Sequence, residues 1–134
     1  NWKAAKTGKK IRLPTEEEWS RLRDYVYPDT DGKADQPYWD RAPGNINLEY
    51  WMTACPVDLF ELKPVGKDAK DTKGFFDVIG NVWHHTETPI MPWKGFRVHR
   101  IYDDFSVPTF DTRHNMIKGG SFISTGNEAT RLSR

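Results

Sequence analysis

Four histidines, one cysteine and a pair of adjacent aspartates are the side chains in this sequence most open to chemistry. His84, His85, His99 and His114 show neither the HxxxH nor the HExxH spacing that sets two imidazoles on one helix face, and Cys55 has no second cysteine to complete a metal pair. His84 and His85 are neighbours, so on a strand they point to opposite faces. An extended His85-Thr86-Glu87 puts His85 and Glu87 on one face, and two ligands do not close a metal site. His99 and His114 read as ordinary polar contacts. Asp103 and Asp104 cannot face one direction in an extended chain, so they read as solvated or salt-bridged loop residues rather than as a carboxylate dyad. Cys55 reads as a small buried side chain, because no sequence feature activates it as a nucleophile. The asparagines of Pro43-Gly-Asn-Ile-Asn-Leu48 can bond nearby backbone and hold a loop, or offer oxygen to a cation; the first use is the commoner one. No G-x-S-x-G, P-loop or dinucleotide fingerprint is present.

The elements that must position these groups centre on Gly74 to Pro89. Phe75 to Trp83 is the densest apolar run, and Val78, Ile79 and Val82 are β-branched, so it reads as a buried core strand. Gly80-Asn81 inside it reads as a tight turn or bulge, since both tolerate positive φ. Upstream, Asn1 to Lys10 is basic and reads as an exposed loop, and Ile11 to Leu13 as a short strand. Thr15-Glu-Glu-Glu18 is a capping box that opens a helix running to about Tyr25 or Val26, with Trp19, Leu22 and Val26 as its apolar stripe. Asp29 to Arg41 is rich in turns, and Glu61 to Lys73 is a charged loop. His114 to Lys118 reads as a strand, Gly119-Gly120-Ser121 bends it, and Phe122-Ile123 continues it. Ser124 to Asn127 is a turn, and Glu128 to Arg131 opens a short helix.

At 134 residues the chain holds one domain with a real core. A net charge of +1 leaves no electrostatic footprint for nucleic acid or an anionic membrane. No apolar run approaches a membrane span, and no signal peptide is visible. One cysteine rules out an internal disulfide and fits a reducing, cytoplasmic setting. Six Trp, five Tyr and seven Phe among nine Pro and ten Gly imply aromatics packed between turns, with little regular structure. The chain begins at Asn1 without Met and stops at Arg134 soon after a strand signal, so the expectation is a piece of a longer polypeptide.

Three stretches in this order and spacing, Arg12-Leu-Pro-Thr-Glu-Glu-Glu-Trp19, Gly80-Asn-Val-Trp83 and Lys118-Gly-Gly-Ser121, resemble the sulfatase-modifying-factor family of formylglycine-generating type. The resemblance covers nearly the whole chain and implies an α+β, C-type-lectin-like fold of short helices, twisted antiparallel strands and much irregular loop. Trp83-His84-His85 departs from the Trp-Glu-Trp or Trp-Gln-Trp common in the family. A narrower resemblance rests on Pro43 to Leu48, Cys55-Pro-Val-Asp58, Thr86 to Ile90, Gly95-Phe-Arg-Val-His99, Tyr102-Asp-Asp-Phe-Ser106, Pro108 to Asp111 and Gly119 to Ala129. These look like the 5-histidylcysteine sulfoxide synthases of ovothiol biosynthesis, which are similar to the ergothioneine sulfoxide synthases. Tyr102-Asp-Asp-Phe and Ser124-Thr-Gly-Asn-Glu-Ala129 discriminate best.

That resemblance implies a reaction joining cysteine to the histidine imidazole and oxidising sulfur, with Fe(II) and O2. It also implies a domain truncated at both ends. Three iron-binding histidines belong to a DinB-like helical domain expected upstream, a methyltransferase domain can follow, and this chain by itself would be inactive. No metal ligand is assigned within it. The family uses a tyrosine from the lectin-like domain as proton or electron donor, and Tyr102 is the positional candidate. Arg97 or Arg131 would clamp a substrate carboxylate by paired hydrogen bonds. Asp103, Asp104 or Glu128 would hold the ammonium, with Asn127 beside them in the Asn-Glu-Ala run. For each, packing or surface salt bridging is the ordinary alternative. Two other functions compete. Formylglycine generation needs a cysteine pair after the Gly-Gly-Ser motif, and Phe122 to Arg134 holds none. A non-catalytic lectin-like binding module is disfavoured by the retained Tyr-Asp-Asp-Phe and Asn-Glu-Ala runs.

Overall fold

The computed structural model describes residues 2–27, 44–49, 52–55, 75–101 and 107–134. Its regular elements are helices α1 (Trp2–Thr7) and α2 (Glu16–Val26), strands β1 (His84–Pro89) and β2 (Asn115–Lys118), and a 3-10 turn at Val107–Thr109. Helices beside an antiparallel strand pair make this an α+β chain.

Helix α2 starts where the sequence says it should. Thr15 Oγ1 accepts the Glu18 N–H at 3.2 Å, and Glu18 Oε2 accepts the Thr15 N–H at 2.9 Å, closing the capping box. Arg12 grips the same carboxylate with both guanidinium nitrogens, at 2.7 and 2.6 Å. That grip, with the Thr15 N–H, holds the Glu18 carboxyl at a pKa of about 2. The buried face is Trp19, Arg23 and Val26, with Leu22 packed at its margin. Two expectations fail upstream. Asn1 to Lys10 is not all loop, because Trp2–Thr7 is helical: Ala4 and Ala5 favour the helix, Lys6 lies 4.9 Å over the Trp2 ring, and Gly8 N–H closes on Ala4 O. This helix buries no residue, so no apolar stripe announces it. Ile11 to Leu13 forms no strand, and the next residue, Pro14, accepts the Glu87 N–H of β1 on its carbonyl oxygen.

The central run also differs from expectation. Phe75 to Trp83 is not a strand; the strand begins at His84. Asp77, Gly80 and Asn81 all take positive φ, which breaks any ladder, and Phe75 and Val82 are exposed while Asp77 is buried. Gly80-Asn81 does make the expected tight bend. Strand β1 pairs antiparallel with β2, His84 opposite Lys118 and His85 opposite Ile117, then bulges before Pro89 meets Asn115. The bulge has a local cause. Buried Thr86 turns its hydroxyl onto Met116 O at 2.9 Å, and Glu87 N–H leaves the pair for Pro14 O. After β2, Phe122-Ile123 turns instead of continuing the strand, and Glu128 to Arg131 is a series of turns rather than a helix. The turn-rich 29–41 and the charged 61–73 lie outside the described residues.

Two small cores meet at Tyr27. Ile46, Ile79 and Ala129 form one; Trp19, Val26 and Val78 form the other. They are joined by a braid of backbone in which asparagine amides replace a sheet. Asn81 Oδ1 accepts the Cys55 N–H at 2.8 Å and its Nδ2 donates to Cys55 O at 2.9 Å. Asn81 N–H donates to Asn45 O, Phe122 N–H to Asn81 O, and Gly80 N–H to Gly119 O. Buried Asn81, with both ends of its amide paired, holds these loops as a ladder would. Of the asparagines expected to hold the 43–48 loop, Asn45 does so, its Nδ2 donating to Thr53 O at 3.2 Å.

A second clamp lies where β2 meets α2. Strand alternation sends Met116 and Lys118 to one buried face, leaving Lys118 1% exposed. Its ammonium donates to Arg131 O at 2.9 Å and Ser133 O at 2.5 Å, lies 3.5 Å from Glu16 Oε1 and 5.4 Å from the centre of the Trp19 ring. Burial pushes its pKa down and Glu16 pushes it up; burial wins. Burial raises the Glu16 pKa, but the hydrogen bonds and charge of Arg134 and then Lys118 outweigh it and leave the carboxyl below its ordinary value.

Both clamps can be tested by urea unfolding. A Cβ on Gly80 would stand 2.5 Å from Asn45 O at a φ of +82°. Gly80→Ala is expected to cost about 2–5 kcal/mol, from left-handed backbone strain and overpacking together. Gly8→Ala, at a φ of +67° with nothing within 4 Å, should cost only about 1 kcal/mol; equal costs would show that the Asn45–Gly80 approach is not tight. Lys118→Met keeps the stem but strands two carbonyls, and should cost about 3 kcal/mol. A loss well under about 1 kcal/mol would mean the cation contributes nothing that a thioether cannot replace.

Candidate functional site

The sequence singled out seven residues, and the described structure places four of them. Tyr102, Asp103 and Asp104 lie outside the described residues. Arg97 stands in the exposed segment 91–101 and makes no ion pair or side-chain hydrogen bond among the described residues. Asn127, Glu128 and Arg131 come together on the successive turns that follow the Gly-Gly-Ser bend. Asn127 O accepts from Thr130 Oγ1 at 3.1 Å, and Glu128 reaches back to cap Thr125 N–H at 3.2 Å. Glu128 and Asn127 are exposed, and Arg131 is half-buried with a guanidinium nitrogen 3.8 Å from Asp24 Oδ2. The Asn-Glu-Ala run therefore forms its own turn scaffold, and only Arg131 projects from it toward another element.

Arg131 lines a groove of about 860 Å³ between α2 and the C-terminal turns. Glu17, Ser20, Arg21 and Asp24 form the helix wall. Lys118 lies in the floor, already engaged by Glu16 and two carbonyls. The far wall is Arg134 stacked 3.8 Å over the Trp93 ring while its other nitrogens hold Glu16 at 3.0 and 2.7 Å. Trp93 is otherwise largely bare, 62% exposed. Guanidinium groups and carboxylates face each other across this groove, and an aromatic face closes one end. Such a lining suits a small molecule that carries both a carboxylate and an ammonium. Among the described residues its lining holds neither cysteine nor histidine.

Sequence reasoning missed Glu16, Trp93, Lys118 and Arg134 as parts of this groove. Lys118 carried a signal. It alternates with Met116 on one strand and precedes two glycines, so it had to be buried with them. Arg134 and Trp93 carried none, because their stacking depends on how the chain folds back.

The histidines do not assemble. His84 Nδ1 accepts the Trp19 indole N–H at 3.0 Å, which occupies that lone pair. His114 Nδ1 lies 3.0 Å from both Asp111 oxygens. The Arg113 N–H and then the His114 ring hold the Asp111 carboxyl at a pKa of about 2. His99 Nδ1 accepts the Ile101 N–H at 3.3 Å. Among the described residues no three of His, Cys, Asp or Glu converge as a metal-binding group, so these residues do not fit a resident iron. Cys55 is buried beneath the Asn45–Asn81 braid, as a small packed side chain should be.

The model of the sulfatase-modifying factor enzyme 1-like domain matches residues 2–134. Hercynine oxygenase of Mycobacterium tuberculosis is 30% identical over 121 residues, covering 83% of this chain and 25% of that protein. Hercynine oxygenase of Mycolicibacterium thermoresistibile is 32% identical over 119 residues, with the same coverage. Ergothioneine biosynthesis protein 1 of Schizosaccharomyces pombe is 29% identical over 122 residues, or 91% of this chain and 13% of that protein. The chain thus spans about a quarter or less of the relatives it matches. By the capping box at Thr15, the bend at Gly80-Asn81, the buried Lys118-Gly-Gly-Ser121 and the match along its length, this chain belongs to the family of sulfatase-modifying factor enzyme 1-like domains, and its relatives include hercynine oxygenases.

Proposed function

We propose that this chain is the lectin-like, substrate-binding part of a sulfoxide synthase that joins cysteine to histidine, as in ovothiol formation. The similarity to hercynine oxygenases over 83% of the chain carries the reading of the reaction class. The choice of ovothiol chemistry rests on Tyr102-Asp-Asp-Phe105 and Ser124-Thr-Gly-Asn-Glu-Ala129. In the proposed reaction a thiol S–H and an imidazole C–H are lost and a carbon–sulfur bond forms. One oxygen of O2 goes to sulfur and the other leaves as water, so four electrons pass from the two substrates to O2.

Iron and O2 would supply the oxidising chemistry, with the iron ligands in a DinB-like domain of the same polypeptide. The residues of this chain would bind and orient. Arg131, and Arg97 from the exposed 91–101 segment, would take substrate carboxylates by paired hydrogen bonds. Glu128, Asp103 and Asp104 would take ammonium groups, and Asn127 would offer an amide. Tyr102 would hold the proton that the coupled product needs. A mixed-charge groove beside Arg131 supports an amino-acid ligand. Among the described residues no helix is long and apolar enough to cross a membrane, and we place the enzyme in the cytoplasm. The hercynine oxygenases among the relatives favour a second reading, in which hercynine replaces histidine as the acceptor.

The test uses the intact polypeptide with Fe(II), O2, cysteine and either histidine or hercynine, with products identified by mass spectrometry. A coupled cysteine–histidine sulfoxide is expected. Coupling with hercynine alone would establish the second reading, and no coupled product from folded, iron-loaded protein would remove both. Tyr102→Phe should lower coupling at least about tenfold and divert cysteine toward its sulfinate. An unchanged rate and product ratio would remove Tyr102 from the reaction.

A further inference from the structure

His84 is the hinge of the α2–sheet contact, and its chemistry there admits one protonation state. Indole N–H is a donor only, so the 3.0 Å bond from Trp19 Nε1 requires a bare Nδ1 lone pair. The neutral ring therefore carries its proton on Nε2. A proton added to this ring must go to Nδ1, where it would confront the indole N–H as a second donor. Gly119 passes close to this pair: a Cβ there would lie 3.2 Å from His84 Nδ1 and 3.4 Å from the Trp19 ring.

Among the described residues, charged groups approach the ring from β2, α2 and the preceding loop. On β2, Lys118 is the register partner of His84, and its ammonium already lies over the Trp19 ring. On α2, Glu16 is engaged by Lys118 and Arg134, and Arg23 is buried on the same face as Trp19. From the preceding loop comes Asp77, buried, with a backbone hydrogen bond that favours the charged ring. The neighbouring His85 is exposed. Burial disfavours the charged ring more strongly than Asp77 favours it, so the His84 pKa lies below its ordinary 6.5.

We propose that the Trp19–His84 pair is an acid-sensitive latch: protonating His84 releases Trp19, loosens α2 from the strand pair and widens the groove that α2 walls. The proposal concerns the docking of α2 and does not depend on the sulfoxide reaction. The sign follows from linkage. Above pH 6.5 both the docked and the released forms carry neutral His84. As the pH falls from there, the released form takes up a proton that the docked form resists, so docking weakens until the docked form titrates too. The loss is toward acid, with no matching loss toward alkali from this group.

The intact polypeptide labelled with 5-fluorotryptophan reports this directly by fluorine NMR, with Trp19→Phe identifying the Trp19 resonance. Between about pH 8 and about pH 5 that resonance should move or broaden with a midpoint below the ordinary histidine value. His84→Asn places a non-titrating amide oxygen where Nδ1 was, and should hold the resonance fixed over the same range. The proposal is overturned if the resonance moves equally in His84→Asn, or stays fixed while His84 titrates. Should His84→Asn not fold, ring nitrogen shifts of His84 in the unaltered protein decide. A neutral ring protonated on Nε2 at about pH 8 supports the latch, and one protonated on Nδ1 refutes it.

Discussion

One buried ammonium ties β2, the C-terminal turns and the start of α2 together. Lys118 reaches from β2 to two carbonyls of the C-terminal turns, to Glu16 at the start of α2 and to the face of Trp19. A lone cation this deep would be intolerable, since desolvation alone costs several kcal/mol. Here it is met on each side by a partner of the right kind. Because those partners belong to different elements, satisfying the charge fixes their relative positions. A two-stranded sheet is too small to order a domain by its own ladder. The clamp does for α2 and the C-terminal turns what further strands would do in a larger sheet.

The asparagine braid is the same device without charge. Asn81 gives both ends of its amide to Cys55 backbone, so one side chain acts as a strand edge for that segment. Gly80 allows Asn45 to approach because no side chain stands between them. The two devices meet at Gly119, which follows Lys118 and accepts the Gly80 N–H. Ion clamp and amide braid are thus consecutive along the chain, and this explains why motif residues distant in sequence gather at one junction.

That arrangement decides what a reader of the sequence could recover. The α2 boundaries were legible because capping is local: Thr15 and Glu18 are three residues apart and bond each other. The strand ending at Lys118 and the bend at Gly80-Asn81 were legible for the same reason. The apolar run from Phe75 misled, because β-branched residues favour a strand only when backbone pairing is available, and positive φ at Asp77, Gly80 and Asn81 removes it. Helix α1 has no buried face, so periodicity had nothing to find. In the groove, Arg131 was legible as a guanidinium in a distinctive run. Its neighbours Trp93 and Arg134 meet only through long-range folding, 41 residues apart in the sequence.

The same geometry separates the competing chemistries. A peptide-cysteine oxidase of the formylglycine-generating kind needs reactive thiols of its own, and the one thiol here is buried with its backbone bonded at both N–H and carbonyl to Asn81. Cys55 is thereby committed to packing. Among the described residues, the exposed segment 91–101 presents Arg97 and its neighbours, and the groove presents Arg131 and Trp93 beside Glu17 and Asp24. Under the proposed function those groups would bind and align two amino-acid-like substrates, with the oxidising chemistry supplied from elsewhere in a longer polypeptide. The relatives, roughly four or more times the length of the matched stretch, have room for that division of labour.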